Sequence, residues 1–207
     1  IHIMNALLSD ADTEAKVESL VDEGVGWISS TQWRSIVERF HPTPELAERV
    51  AAEIRRDGGK AIIALGDLSQ DEEVARIVEI AQAELGGVDI LVNNAASGEH
   101  QNDMETAPSG WLDSYNSNLL SMVRLVQHLL PSMREQGWGR IIGISSGAAV
   151  KPSPGMGVYA TTKAAMNALT VSLAQGMKND GVTVNTLPTD WGNFYDQIKA
   201  AYAGGTP

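Results

Sequence analysis

The sequence contains no cysteine, few aromatic residues and no long hydrophobic run, and each absence excludes a class of protein. Without cysteine there are no disulfide-stabilised folds, thiolate nucleophiles or cysteine-ligated metal sites. No apolar segment approaches the length of about 20 residues that a transmembrane helix needs, and the first residues lack the pattern of a secretory signal. We therefore expect a soluble, cytoplasmic protein.

Basic residues are also scarce, with 15 Lys and Arg against 26 Asp and Glu and a net charge of -11. A general affinity for nucleic acid or for an anionic membrane is excluded, because both need a basic surface. The histidines do not have the spacing of metal ligands, so we expect no metal site. They are His2, His41, His100 and His128.

The 207 residues are enough for one sizeable core, and we interpret residues 1–207 as a single domain. From residue 43 onward, helical and strand-like segments alternate, which is typical of βαβ units. The fold class predicted is α/β, a Rossmann-like doubly wound parallel sheet with helices on both faces. The strands expected in the regular part of the chain are residues 61–65, 88–92, 140–144 and 182–185.

Helix signals separate these strands. Thr43 and Pro44 are suited to the N-cap and first position of one helix, and Ser69 to Glu72 has the capping-box spacing before another. An apolar stripe predicts a long helix over residues 111–133. The stripe consists of Leu112, Tyr115, Leu119, Met122, Val126 and Leu129. The first forty residues are less regular, and there we expect strands at 1–4 and 24–28 and a helix at 14–22.

Tyr159 and Lys163 are four residues apart, which places a phenol and an ammonium on one face of a helix. Ser146 follows a predicted strand, and its hydroxyl can lie opposite them. A free tyrosine has a pKa near ~10, so it is a poor base at neutral pH unless a nearby cation favours the phenolate. Lys163 is suited to provide that cation, and the three residues predict a proton-transfer site.

Several motifs in this order resemble the short-chain dehydrogenase/reductase family over residues 43–185. Residues 93–96, Asn-Asn-Ala-Ala, match the family's Asn-Asn-Ala-Gly motif after a strand, and Asn118 matches the asparagine of its long central helix. Ser146 matches the catalytic serine, thirteen residues before the Tyr-x-x-x-Lys pair formed by Tyr159 and Lys163. One such motif is weak evidence, but the ordered set is specific.

The resemblance implies a catalytic role for each of four residues. Tyr159 would be the general acid or base on a carbonyl or alcohol oxygen, and Ser146 would hydrogen-bond that oxygen. Lys163 would also hold the ribose of the nicotinamide, while Asn118 would support a proton-relay water. The residues implied to bind the NAD(P) cofactor are Asp67, Asn93, Ala95, Tyr159, Lys163, Pro188 and Thr189.

The chain departs from the family pattern at both ends, so residues 43–187 are interpreted as the well-matched core. The family's glycine-rich phosphate turn is absent from the divergent segment 1–42, where Asn5 to Asp12 occupy its place. Residues 188–207 form a shortened substrate-loop region, and we expect the sheet to be incomplete at its C-terminal edge. Arg34, after a predicted second strand without a terminal acid, favours NADP slightly over NAD.

Three hypotheses follow. The first is an NAD(P)-dependent oxidoreductase acting on a small carbonyl or alcohol, and the resemblance implies a homodimer or homotetramer. The second is a protein of the same fold without a dinucleotide, in which Ser146, Tyr159 and Lys163 catalyse hydrolysis. The third is a non-catalytic assembly subunit. Asp103 and Glu105 are interpreted as part of a solvated loop.

Overall fold

The computed structural model describes residues 6–8, 44–96 and 103–187. The strands in these ranges are β1 (Ala6–Leu8), β2 (Ile90–Asn93), β3 (Gly139–Ile144) and β4 (Val182–Leu187). The helices are α1 (Pro44–Arg56), α2 (Asp71–Leu85), α3 (Pro108–Tyr115), a π-helix (Asn116–Leu120), α4 (Ser121–Gln136), a 3-10 helix (Gly147–Ala149) and α5 (Gly157–Gly176). The strands and helix expected at 1–4, 14–22 and 24–28 lie outside the described residues.

The four strands form one sheet in the order β1-β2-β3-β4. Strands β2, β3 and β4 are parallel, with Asn93 opposite Gly143 and Ile144 opposite Leu187. Parallel neighbours need crossover connections, which α3 to α4 and α5 supply. Because the strands are parallel, their carboxyl ends meet at one edge of the sheet, and this edge carries the candidate site.

The predicted parallel sheet is confirmed in β2, β3 and β4, and β1 adds an antiparallel strand at its edge. This strand runs antiparallel to β2, with Ala6 opposite Val92 and Leu8 opposite Ile90. The backbone groups on a free sheet edge can pair with a strand in either direction, so β2 accepts β1 without any change in its own direction. The sheet is therefore mixed, and the chain leaves β1 at the edge opposite the carboxyl ends of β2, β3 and β4.

Two local expectations are corrected. Residues 61–65 were expected to be a strand, but they have no ladder partner among the described residues and lie outside the sheet. The capping box at Ser69 is not formed, because Gln70 is the N-cap residue of α2 and makes no side-chain cap bond. Three acids in the first turn of α2 interact favourably with the helix dipole instead.

Side chains from α2, α4 and α5 form the main core against one face of the sheet. On the other face, Ile142, Ile144 and Leu187 form a smaller buried cluster, so that face is covered as well. Neighbouring residues of a strand point to opposite faces, which is why Ile141 belongs to the main core while Ile142 does not. Among the described helices, none combines the length and apolar character that crossing a bilayer requires.

The long helix predicted over 111–133 is interrupted by the π-helix at Asn116–Leu120. Met122, Val126 and Leu129 are buried as the stripe predicts, but Leu112 is 70% exposed. A π-helical turn contains an extra residue, so the buried face of α4 does not continue in phase into α3. An uninterrupted helical period could not reveal this change.

Candidate active site

Ser146, Tyr159 and Lys163 lie together at the carboxyl edge of the sheet. Ser146 follows β3, and its Oγ accepts a hydrogen bond from the Ala148 N–H at 3.2 Å, which caps the 3-10 helix. Tyr159 and Lys163 lie on the first two turns of α5. The Ser146 hydroxyl lies near enough to the Tyr159 phenol to lower its pKa. The structure thus brings together the three residues that the sequence assigned to proton transfer.

Lys163 is only 1% exposed. Its Nζ donates a hydrogen bond to the carbonyl oxygen of Ile144 at 2.7 Å and lies 5.7 Å from the centroid of the Tyr159 ring. Burial lowers the pKa of Lys163 from 10.5 to about 8. An ammonium has three donor hydrogens, and the bond to Ile144 uses one of them. The ammonium is therefore held beside the phenol by the last residue of β3.

A nearby cation was expected to lower the pKa of Tyr159 by favouring its phenolate, but the pKa is raised. Burial raises the pKa above 10.0, and the Ser146 hydroxyl opposes this effect only in part. Removal of the ring from water disfavours the charged form more strongly than one neutral hydroxyl can stabilise it. At neutral pH, Tyr159 is consequently a protonated phenol that can donate a proton to a ligand oxygen.

Asn118 lies in the π-helix and is fully buried. Its Nδ2 donates to Ser114 Oγ and to Thr162 Oγ1, both at 3.2 Å. Thr162 Oγ1 in turn donates to the backbone oxygen of Tyr159 at 2.7 Å. The amide of Asn118 therefore connects the π-helix to α5, and Thr162 is a residue of the site that the sequence motifs did not identify.

A second residue missed by the sequence is Asp103. It was interpreted as part of a solvated loop, but it is half-buried and its Oδ1 accepts the N–H groups of Gly157 and Val158 at 2.7 and 3.3 Å. Its partners are more than fifty residues away in the chain. No local spacing could have indicated this contact.

Asp67, expected near adenine, lies in the turn before α2. Its Oδ1 accepts the Ser69 N–H at 2.9 Å, and this bond lowers the pKa of the carboxyl. The turn is tied to the helix that carries Asn118, since Asn116 Nδ2 donates to the Ser69 oxygen at 3.4 Å and Arg124 donates to Asn116 Oδ1 at 2.8 Å. Hydrogen bonds through Asn116 therefore join the turn at Asp67 to the π-helix.

Asn93 and Ala95 are buried at the end of β2. Neither Nδ2 nor Oδ1 of Asn93 has a hydrogen-bond partner among the described residues. Buried amides are rarely left unpaired, so this position fits a site that a further polar group completes. Pro188 and Thr189, also expected at the cofactor site, lie outside the described residues.

Tyr159 and Lys163 lie at the carboxyl edge of the sheet, where a dinucleotide would bind in a Rossmann-type fold, whereas β1 ends at the opposite edge. In Rossmann-type sheets the phosphate turn follows a strand at its carboxyl end and opens into a helix. Here the carboxyl end of β1, Leu8, pairs with Ile90 at the amino end of β2. A turn placed directly after β1 would begin at the edge opposite Tyr159.

The described residues contain no group of three His, Asp or Glu side chains arranged to hold a metal ion. His128 is exposed on α4. The other three histidines lie outside the described residues.

The sequence profile described as short chain dehydrogenase matches residues 30–190. Nodulation protein G of Azospirillum brasilense is 38% identical over 130 residues, which are 63% of this chain and 53% of that protein. A 3-oxoacyl-acyl-carrier-protein reductase of Pseudomonas aeruginosa is 33% identical over 141 residues, 68% of this chain and 57% of the reductase. The chain spans about half the length of the curated relatives it matches first, 53% and 47%.

Among solved structures, the L-sorbose reductase of Gluconobacter frateurii, complexed with NADPH and L-sorbose, superposes with a TM-score of 0.67 at 31% identity. The superposition covers 70% of this chain and 56% of the reductase. The expected α/β fold with an open sheet is confirmed by this similarity.

Proposed function

We propose, on the premise that this chain belongs to the short-chain dehydrogenase/reductase family, that it is an oxidoreductase acting on a small carbonyl or alcohol with NAD(P)(H). The observation that carries the proposal is the buried ammonium of Lys163, which Ile144 holds beside the phenol of Tyr159, with Ser146 near that phenol. A buried, charged group is costly to maintain, and its position beside an acid or base supports a role in proton transfer.

In the reducing direction, Tyr159 donates its phenolic proton to the substrate oxygen. Ser146 hydrogen-bonds the same oxygen and fixes its position. The phenolate that forms is stabilised by the Lys163 ammonium, whose pKa of about 8 lets it release and regain a proton near neutral pH. Bound NAD(P)H would supply the hydride that the side chains cannot.

For the cofactor, Lys163 would hold the ribose, and Asn93 and Ala95 would line the crevice beside it. Asp67 is proposed to lie near adenine, and Pro188 and Thr189 near the nicotinamide. NADP is slightly favoured by Arg34, and the similar L-sorbose reductase was solved with NADPH.

The test has two stages. First, the folded protein is titrated with NADPH and NADH by calorimetry; saturable binding of at least one is expected. Second, turnover is followed at the nicotinamide absorbance band over a panel that includes ketoses and 3-oxoacyl thioesters.

Tyr159→Phe should lower kcat by about 100-fold or more, because it removes the transferable proton. Tyr115→Phe, on α3, is the matched control and should retain activity. A folded preparation that neither binds a dinucleotide nor turns over any carbonyl contradicts the proposal.

The hydrolytic alternative is not favoured, because the 3-oxoacyl-acyl-carrier-protein reductase and the L-sorbose reductase that the chain resembles are oxidoreductases. The same panel tests it. Ester hydrolysis that needs no dinucleotide and is lost in Ser146→Ala would replace the proposal.

A homodimer or homotetramer in the cytoplasm remains our proposal for the assembly and its location. Support for self-association comes from apolar side chains on the helices that carry the site: Leu112, Leu120 and Val171 are 70%, 41% and 58% exposed. Exposed apolar residues on packed helices favour burial against another surface. Light scattering after gel filtration measures the mass directly, and a monomer at micromolar concentration would refute this part.

A further inference from the structure

The helix that carries Tyr159 and Lys163 begins without a cap of its own. Its N-cap residue, Met156, has no side chain that can accept a hydrogen bond from the first turn. The first N–H groups of any helix lack partners within the helix. Two of them, at Gly157 and Val158, donate to Oδ1 of Asp103 at 2.7 and 3.3 Å. The missing cap is thus supplied by a carboxylate that is distant in sequence.

A carboxylate suits this place for two reasons. It accepts charge-assisted hydrogen bonds, which are stronger than those between neutral groups. It also lies at the helix end where the aligned peptide dipoles favour negative charge. Asp103 therefore attaches the segment that leads into α3 to the first turn of α5.

Gly157 has no Cβ, and the carboxylate of Asp103 occupies the space that a Cβ would fill. A Cβ on Gly157 would lie 2.8 Å from Cγ and Oδ2 of Asp103 and 3.0 Å from its Oδ1. Its φ is not in the left-handed region that only glycine adopts readily. Glycine leaves the room that the Asp103 contact needs, because a methyl group here would displace the carboxylate.

The position of the first turn matters because Tyr159 is two residues beyond Gly157. The other end of this turn is held by Thr162, which bonds the Tyr159 oxygen and Asn118. We propose that Asp103 is a positioning residue that anchors the first turn of α5 and so sets where the phenol of Tyr159 lies relative to Ser146. The catalytic half of this proposal depends on the proposed function, whereas the anchor itself does not.

Hydrogen exchange tests the anchor without any assay of activity. In Asp103→Ala, the amides of Gly157 and Val158 should exchange roughly five- to tenfold faster, the usual effect of losing a cap. Asp103→Asn retains an oxygen acceptor and should keep most of the protection. Glu105→Gln, an exposed acid in the same segment, is the matched control and should exchange like the wild type. Equal exchange rates in all four proteins overturn the proposal.

The effect of Gly157→Ala on the midpoint of thermal unfolding should change sign when Asp103 is also replaced. In the wild-type background, Gly157→Ala should lower the midpoint of thermal unfolding, because the methyl group collides with Asp103. In the Asp103→Ala background the collision is gone, and alanine, the better helix former, should raise the midpoint. An equal shift in both backgrounds would show that the two residues are not coupled.

The kinetic consequence is measured with the substrate found for the wild type. Asp103→Ala should lower kcat by roughly ten- to a hundredfold, the effect of a small misplacement of a catalytic group. The dissociation constant for NADPH should change less than about twofold. Asp103→Asn should restore most of kcat, and Glu105→Gln should leave it unchanged.

The outcomes separate the two proposals. Faster exchange with unchanged kcat refutes the positioning role and leaves the proposed function intact. Faster exchange in a protein that turns over no carbonyl supports the anchor and refutes the proposed function.

Discussion

Replacing Lys163 by methionine should remove a pH dependence of stability that originates in one buried ammonium. The side chain is 1% exposed, and burial lowers its pKa from 10.5 to about 8. In the unfolded chain the same group keeps its proton up to about pH 10.5. Between about pH 8 and 10.5 the unfolded chain therefore binds a proton that the folded protein has released, and the free energy of unfolding rises with pH.

The size of the effect follows from about 1.4 kcal/mol for each pH unit within that window. From about pH 7.5 to 9.5 the wild type should gain about 2 kcal/mol through Lys163. Lys163→Met lacks this gain. At pH 7.5 the variant should be the more stable protein by about 1–2 kcal/mol, since it avoids burying a charge but leaves the Ile144 carbonyl without a donor. This advantage should disappear near pH 9.5.

The measurement is urea unfolding of both proteins at a series of pH values, with the difference in free energy plotted against pH. Taking the difference cancels the other titrating groups, and stopping at about pH 9.5 avoids the tyrosines. Activity should be lost in the variant at every pH. A difference that stays constant from pH 7.5 to 9.5 would refute the conclusion that the Lys163 ammonium is confined in apolar surroundings.

Two further perturbations test packing, one beside the site at Thr162 and one at Gly181, where β4 begins at the opposite edge of the sheet. Thr162→Val should cost about 1–2 kcal/mol of stability and lower kcat several-fold, because Asn118 loses an acceptor, whereas Thr162→Ser should behave like the wild type in urea unfolding and in turnover. Gly181→Ala should destabilise by more than about 2 kcal/mol, since its Cβ would lie 1.7 Å from the Gly137 oxygen at a φ of +72°. Gly137→Ala has nearly the same φ, +71°, with open space around it, so thermal unfolding should show a loss of only about 1 kcal/mol. Equal losses at the two glycines would show that the collision is relieved.

The sequence predicted the parallel part of the sheet and the residues at its carboxyl edge. Strands β2 and β3 contain apolar runs, and in β4 the valines alternate with polar residues. Ser146 follows β3, and Tyr159 and Lys163 are four residues apart on α5. Such signals are local, because each depends only on residues within one strand or one helical turn. The structure brings these local signals together as expected.

The features that the sequence could not predict depend on contacts between distant segments. The direction of β1 is set by pairing with β2, not by the three residues of the strand itself. The cap that Asp103 provides for α5 has no counterpart in the spacing of nearby residues. Similarly, residues 61–65 have the composition of a strand, but a strand also needs a neighbour with which to form hydrogen bonds, and none of the described segments pairs with them.

The π-helix between α3 and α4 restricts how the length of this part of the chain can vary. Each residue of an α-helix turns the chain by about 100°, so one deletion within Asn116–Leu120 would restore a regular helix and rotate α3 by that angle relative to α4. Asn118 would then no longer face Thr162. Insertions and deletions that homologues tolerate in surface loops should therefore be absent from these five residues, and a gap in a sequence alignment is better placed before Pro108 or after Gln136.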